Sequence, residues 1–306
     1  MSSTRLRFVG RRRWLVAGAV VLSQLGLVAT MTIAAPAANA DVPGPPSGWT
    51  TAFSDDFNGA AGSAPDSGNW VYDTGPGSNF GTGEIETMTN STANTYLDGN
   101  GNLNITALSD GNGNWTSGRI HTGAIVGAPA GGQLEVTASI QQPNPGNGLG
   151  YWPAFWMLGP GQWPENGEID ILEDVNALSE HSGTFHCGTD PGGPCNEGNG
   201  IGSGLQGCGG CQDGYHTYSV IVNRENTSAE SITWYLDGNQ FFQVNENQVD
   251  TATWQAAVDH NFMIIFDLAM GGGYPNGVCG CTSPSGGTTS GGTMSVAYVA
   301  AYTTNS

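Results

Sequence analysis

The chain has 306 residues and a formal net charge of −19, and five of its seven basic residues fall in the first 40 positions, which hold none of the 26 acidic ones. Beyond residue 40 this leaves 26 carboxylates against Arg119 and Arg224, with no lysine, a net charge of −24 with histidine neutral. No basic face remains to neutralise phosphates, which excludes nucleic-acid binding and attachment to an anionic membrane surface.

In chain order, Arg11-Arg12-Arg13 leads into an apolar run from Trp14 to Ile33 and then Ala38-Asn39-Ala40, the small-x-small form that signal peptidase accepts. Residues 1–40 therefore read as a cleaved export signal, and the arginines ahead of the apolar run resemble the twin-arginine type. A retained transmembrane span is the alternative for a run of this length. The proline, the small residues and the Ala-x-Ala end favour cleavage, so the expected product is secreted, extracellular and free of the membrane.

A short arm over residues 41–49 carries Pro43, Pro45 and Pro46, and residues 50–306 read as one domain, since no Ser/Thr/Pro-rich linker divides them. Residues 49–57 are expected to form the first strand. Short alternating segments follow at 103–108, 132–140, 167–171, 215–222, 232–236, 262–268 and 294–302, separated by glycine and asparagine turns. Period-two patterning of this kind predicts antiparallel sheets. Asp237-Gly238 between two aromatic strands predicts a tight hairpin, and no helix of 12 residues is evident. The fold class is all-β, two packed sheets or a barrel.

The six cysteines (187, 195, 208, 211, 279, 281) all follow residue 40. Export places them in an oxidising compartment, so three disulfides are expected, bracing the long irregular stretch 187–214. The competing readings are a zinc site from Cys208-Gly-Gly-Cys211 with Cys279-Gly-Cys281 and a thioredoxin-like pair at 208 and 211.

The segment Glu168-Ile-Asp-Ile-Leu-Glu173 carries the chemistry. In a regular strand Glu168 and Asp170 share one face, and Glu173 falls on the buried one, where an ionised carboxylate is prohibitively costly. A one-residue bulge at Ile171 or Leu172 returns Glu173 to the face of the other two. Two glutamates on one face can serve as nucleophile and general acid/base of a retaining glycosidase, with Asp170 between them. The bland alternatives are a solvated acidic strand or a calcium site. Trp152, Trp156, Trp163 and Trp115 lie near the acids or the Ser117-Gly-Arg119 segment and could offer platforms to sugar rings, Trp163 being the best placed. Any one of them could equally be core.

Trp152-Pro-Ala-Phe-Trp-Met-Leu158, then Trp163-Pro and Gly167-Glu-Ile-Asp-Ile-Leu-Glu173, resemble glycoside hydrolase family 16 in its laminarinase-like branch. Asp55-Asp-Phe-Asn58, Gly83-Glu-Ile-Glu-Thr87, Ser117-Gly-Arg-Ile120, Gly183-Thr-Phe-His186, Trp234-Tyr-Leu-Asp-Gly238 and Leu268-Ala-Met-Gly-Gly272 extend the resemblance over nearly all of residues 50–302. It implies a β-jelly roll sandwich of two curved antiparallel sheets with an open concave cleft, and hydrolysis with retention. It assigns Glu168 as nucleophile, Asp170 as the assisting carboxylate and Glu173 as acid/base, and places Arg119, Glu84 and His186 in the cleft. His121, His181, His216 and His260 are left as structural or surface residues.

The expected substrate is β-glucan, cleaved at internal β-1,3 bonds by a monomer without a required cofactor. A β-1,3-1,4-glucanase, a β-1,3-galactanase, a transglycosylase and a non-catalytic carbohydrate-binding jelly roll are the alternatives. A structural calcium is doubtful. Asp56 is present, but Ala297 stands where the resemblance would place a second, acidic ligand.

Overall fold

The computed structural model describes residues 41–304, so the export-signal reading lies outside the described residues. Two large antiparallel sheets pack through a single core. One runs in the order Asn239–Asn245, Ser231–Leu236, His216–Asn223, Gln133–Gln141, Thr293–Thr304, Leu103–Thr106, Thr95–Leu97, and Trp49–Asp55 also pairs with the long Thr293–Thr304 strand. The other, which carries the acids, runs Ile201–Gly202, Glu180–His186, Glu168–Glu173, Tyr151–Leu158, Met263–Met270, Arg119–His121, Val71–Tyr72. A small third sheet joins Gly75–Pro76, Thr87–Met88, Trp115–Ser117 and Leu108–Ser109. Two packed antiparallel sheets are what the alternation predicted, and the jelly-roll architecture is what the resemblance implied.

The alternation decides which face each side chain takes. Phe155, Met157, Ile169, Phe185 and Phe266 turn into the core against Val136, Ala138, Val220, Trp234 and Val296 of the opposite sheet. Phe155 and Phe266 stack with ring centroids 4.8 Å apart. Their neighbours in sequence, Ala154, Trp156 and Ile265, form a separate cluster on the other side of the same sheet, with Leu158 and Met263. That outer face carries the site. No helix among the described residues is long and apolar enough to cross a membrane.

The expected hairpin forms at Asp237 and Gly238, both with positive φ (50° and 74°), joining Leu236 to its partner Asn239. The first strand is shorter than predicted and ends at Asp55, because the Asp55 carboxylate accepts hydrogen bonds from the Phe57 amide (2.8 Å) and the Trp70 indole (2.9 Å) and turns the chain, Phe57 taking a φ of 51°. The segment at 103–108 divides as well. Leu103–Thr106 joins the large sheet and Leu108–Ser109 the small one. Among the described residues the α-helices have eight and seven residues, Thr251–Val258 and Gly273–Cys279.

The cysteines form three disulfides, Cys187–Cys195, Cys208–Cys211 and Cys279–Cys281, so the Cys208 and Cys279 pairs do not combine into one zinc site. The expectation that they brace a long insertion is corrected. The bridged residues are only eight, three and two positions apart, and closing such short loops removes less freedom from the unfolded chain than a bridge across the whole stretch would. Their effect is to shape individual turns.

One buried contact ties the core to the acidic strand. The Trp234 indole of the opposite sheet donates to the Asp170 carbonyl at 2.7 Å, beside the irregularity at Ile171 where the sheet ladder is interrupted. Gly183 makes room for that indole, since a Cβ there would lie 2.5 Å from the Trp234 ring. Trp234→Phe is expected to lower stability by about 1–3 kcal/mol by leaving a buried carbonyl unpaired, measured as a fall in the urea midpoint. An unchanged midpoint would remove this contact from the account.

Candidate active site

The predicted bulge is present and lies at Ile171. Phe155 pairs with Leu172 and Trp156 with Asp170, which leaves Ile171 as the extra residue. On the other edge Asp170 pairs with Thr184 and Glu173 with Ser182. Ile169, Ile171 and Leu172 are buried in the core, while Glu168, Asp170 and Glu173 all line one cleft of about 260 Å³. The apolar residues of this strand therefore determine the bulge as much as the acids do: three must reach the core, and the regular alternation would bury Glu173 instead.

Trp152, Trp156 and Trp163 line the same cleft, as do Arg119 and Glu84. Trp152 donates its indole N–H to Glu173 Oε1 at 2.9 Å, and its ring meets Tyr274 edge-on at 5.7 Å. Trp156 donates to Asp267 Oδ1 at 2.7 Å. Trp163 lies 5.8 Å, ring to ring, from His186. Trp115 is a correction. It is 4 % exposed, belongs to the main core and packs edge-on against Tyr151 at 6.0 Å, because its strand belongs to the small third sheet and turns the indole inward.

Arg119 lines the cleft, as the resemblance implied, and is ion-paired as well. Its Nε lies 2.9 Å from Asp73 Oδ2, and its guanidinium lies 4.6 Å from the Phe80 ring centroid and 4.7 Å from that of Trp156. The ion pair and the two aromatic faces hold the cation in the cleft wall. Glu84 is bridged by backbone to Gly271, and its carboxylate accepts from the Thr82 hydroxyl. His186, opposite Glu168 on the neighbouring strand, places Nε2 3.3 Å from Asp170 Oδ2 and 3.8 Å from Glu168 Oε1. Asp56 accepts from Asn58 through its backbone amide and side chain, and Ala297 offers no side-chain oxygen.

Several cleft residues were not found from sequence. Asp267 had a signal: it is the single acid in the apolar Met263–Met270 strand, at a position whose side chain faces outward with Trp156. Phe80, Asp73 and Tyr274 had none, since they come from loops and a short helix whose approach depends on the tertiary fold.

The electrostatics separate the acids from ordinary surface carboxylates. Burial and the neighbouring Asp170 push Glu168 well above the usual carboxylate range, with His186 and Arg119 acting to lower it. Burial and Asp170 push Glu173 up to about 8 against the lowering effect of the Trp152 hydrogen bond. Burial raises Asp267 to about 6, against Arg119 and Trp156. Glu173 holding its proton at neutral pH can serve as the acid, and the lowering influence of His186 and Arg119 on Glu168 favours the ionised form that a nucleophile needs.

A jelly roll that sets such a pair among indole faces on its open side has the character of a polysaccharide hydrolase. Comparison with known proteins places it more narrowly. Residues 135–200 match the family model described as XgeA-like, catalytic GH16 domain. An endo-1,3-β-glucanase from Streptomyces sioyaensis is 48% identical, with a TM-score of 0.82 covering 87% of this chain and 100% of that one. An endo-β-1,3-glucanase from Pyrococcus furiosus is 29% identical with a TM-score of 0.66, covering 84% and 95%. Glucan endo-1,3-beta-glucosidase A1 of Niallia circulans is 31% identical over 75% of this chain, which spans 35% of that protein's length. The chain belongs to glycoside hydrolase family 16.

Proposed function

We propose that the chain is a retaining endo-β-1,3-glucanase that acts outside the cell, as a monomer, on laminarin- or curdlan-like polysaccharide. Glu168 is the nucleophile, Glu173 the general acid/base, and Asp170 the carboxylate between them. The observation that carries this reading is the bulge at Ile171, which brings both glutamates to one cleft. The similar proteins named as 1,3-β-glucanases support the choice of bond.

In the first step the Glu173 carboxyl gives its proton to the glycosidic oxygen as ionised Glu168 attacks the anomeric carbon, forming a glycosyl-enzyme. In the second, Glu173 as carboxylate takes a proton from water, which displaces Glu168 and leaves a β-anomeric product. His186 and Arg119 favour the ionised nucleophile. The Trp152 indole orients Glu173, and Trp163 offers a face to a sugar beside the acids. A panel of laminarin, curdlan, barley β-glucan, agarose and β-1,3-galactan, with product length and anomer followed by NMR, tests the substrate. Early β-anomeric oligosaccharides from laminarin are expected. Galactan cleavage with laminarin untouched would reject the choice.

Trp163→Ala is expected to lower kcat/KM on laminari-oligosaccharides roughly tenfold, since loss of an aromatic face removes on the order of 1–2 kcal/mol of apolar contact. Kinetics on a length series checks this, and an unchanged value at every length would remove Trp163 from the substrate path. No metal is required for turnover in this mechanism, and any calcium near Asp56 is structural and weak without an acid at Ala297. Dialysis against chelator should leave kcat unchanged at low temperature. A calcium-reversible loss of activity at constant stability would contradict it.

A further inference from the structure

Beyond the strand that carries His186, the chain returns a buried glutamate to the far side of that imidazole. Glu197 is 5 % exposed. Its Oε2 lies 2.6 Å from His186 Nδ1, and its Oε1 accepts the Cys187 amide at 2.8 Å. Both oxygens are thus committed to the residues that end the His186 strand, and Glu197 is not among the residues lining the cleft. The other ring nitrogen, Nε2, faces Asp170 and Glu168 at 3.3 and 3.8 Å. These three carboxylates are the titratable groups against the ring: two from the adjacent strand and one from the loop.

The loop is built to hold this arrangement. The Cys187–Cys195 disulfide closes it two residues before Glu197, and Glu197 pairs by backbone with Gly192. Gly200 passes against the imidazole, with φ +70° and room for no side chain, since a Cβ there would lie 2.9 Å from His186 Cε1 and 2.5 Å from Thr184 Cγ2. Trp163 packs on the same ring.

We propose that Glu197 is a positioning residue that acts through His186: it holds an imidazolium against Glu168 and Asp170 and so sets the pH at which the nucleophile ionises. The proposal rests on the reading of Glu168 as the nucleophile. The geometry supplies the reason for the charge. With a carboxylate facing each nitrogen, a neutral ring could donate to only one and would turn a lone pair toward the other, whereas the doubly protonated ring donates to both. Burial opposes that charge, but Asp170, Glu197 and Glu168 outweigh it and push His186 up to about 11. An imidazolium beside Glu168 favours its ionised form.

The test has two parts. In wild-type enzyme labelled at its histidine nitrogens, the His186 signal, assigned by its loss in His186→Gln, should report both nitrogens protonated from pH 5 to pH 8. A neutral ring at pH 7 would overturn the proposal without any variant of Glu197. In Glu197→Gln, the amide N–H₂ opposite Nδ1 makes that nitrogen an acceptor and favours the neutral ring. The acid limb of kcat/KM should then rise by about one pH unit, a roughly tenfold loss of activity below the limb. A purely structural role for Glu197 would lower the melting temperature and leave the limb in place, and an unmoved limb in folded Glu197→Gln would reject the coupling. If Glu168→Gln kept activity, the nucleophile assignment would fall, while the His186 titration would still report on the Glu197 pair.

Discussion

Glu168→Gln is expected to lose at least roughly 10⁴-fold in kcat/KM on laminarin while keeping the wild-type fold, because the amide cannot attack the anomeric carbon and the covalent route is closed. Glu173→Gln should lose about 10²–10⁴-fold on polysaccharide, the range for removal of a general acid, and much less on aryl glycosides whose leaving groups need no proton. The two roles separate further with azide. In Glu173→Ala, azide attacks the glycosyl-enzyme from the face that water would use and yields a β-glycosyl azide. In Glu168→Ala, azide replaces the missing nucleophile and yields the α-anomer. NMR of the two products checks the assignment, and exchanged anomers would reverse it. The fold is expected to survive both changes, since the groups that stabilise the strand are Ile169, Ile171 and Leu172 in the core and the Trp234 bond to Asp170, none of which is altered.

The pH dependence of kcat/KM is expected to form a bell displaced upward from that of two ordinary carboxylates. Attack requires Glu168 ionised, and burial with Asp170 raises it, so the acid limb should stand well above 4.5. Protonation of the leaving oxygen requires Glu173 to hold its proton. That proton is lost near 8, so activity should fall about tenfold per pH unit above this limb. Because the acids interact, the limbs belong to the site as a whole. Trp152→Phe gives the sign test. The indole N–H stabilises ionised Glu173, and its removal should move the alkaline limb to higher pH. A limb that stayed fixed or moved down would show that another group controls it. The buried carboxylates Glu86, up to about 8, and Asp174, up to about 7, are raised chiefly by burial. Between their unfolded values and these, the folded state binds more protons than the unfolded one, so stability should fall as pH rises through that window. A thermal midpoint measured at pH 5 and at pH 8 separates this effect from the rate limb.

Some features could be read from residues alone because they depend on local rules. Strand alternation follows from the two-residue period, the Asp237-Gly238 turn from the need for positive φ, and a bulge at Ile171 or Leu172 from a conflict between apolar and acidic positions that an extra residue resolves, the sheet pairing then choosing Ile171. The acids at 168, 170 and 173 were legible for the same reason: burying Glu173 would cost more than breaking the ladder. The disulfides could be expected from composition and export, but not their pairing, which the structure resolves in favour of sequence neighbours, each bridge closing one short turn. Trp115 and Trp152 both stand at or next to the start of a strand, yet one is core and the other holds Glu173, because the small third sheet turns the first inward. Arg119 could not be placed between Phe80 and Trp156, nor Glu197 behind His186, since those contacts join segments far apart or bent back by an irregular loop. Local patterning thus determined the sheets and the acidic strand, and the tertiary fold decided the charge environment of the acids, since burial and long-range neighbours vary with the path of loops that carry no periodic signal.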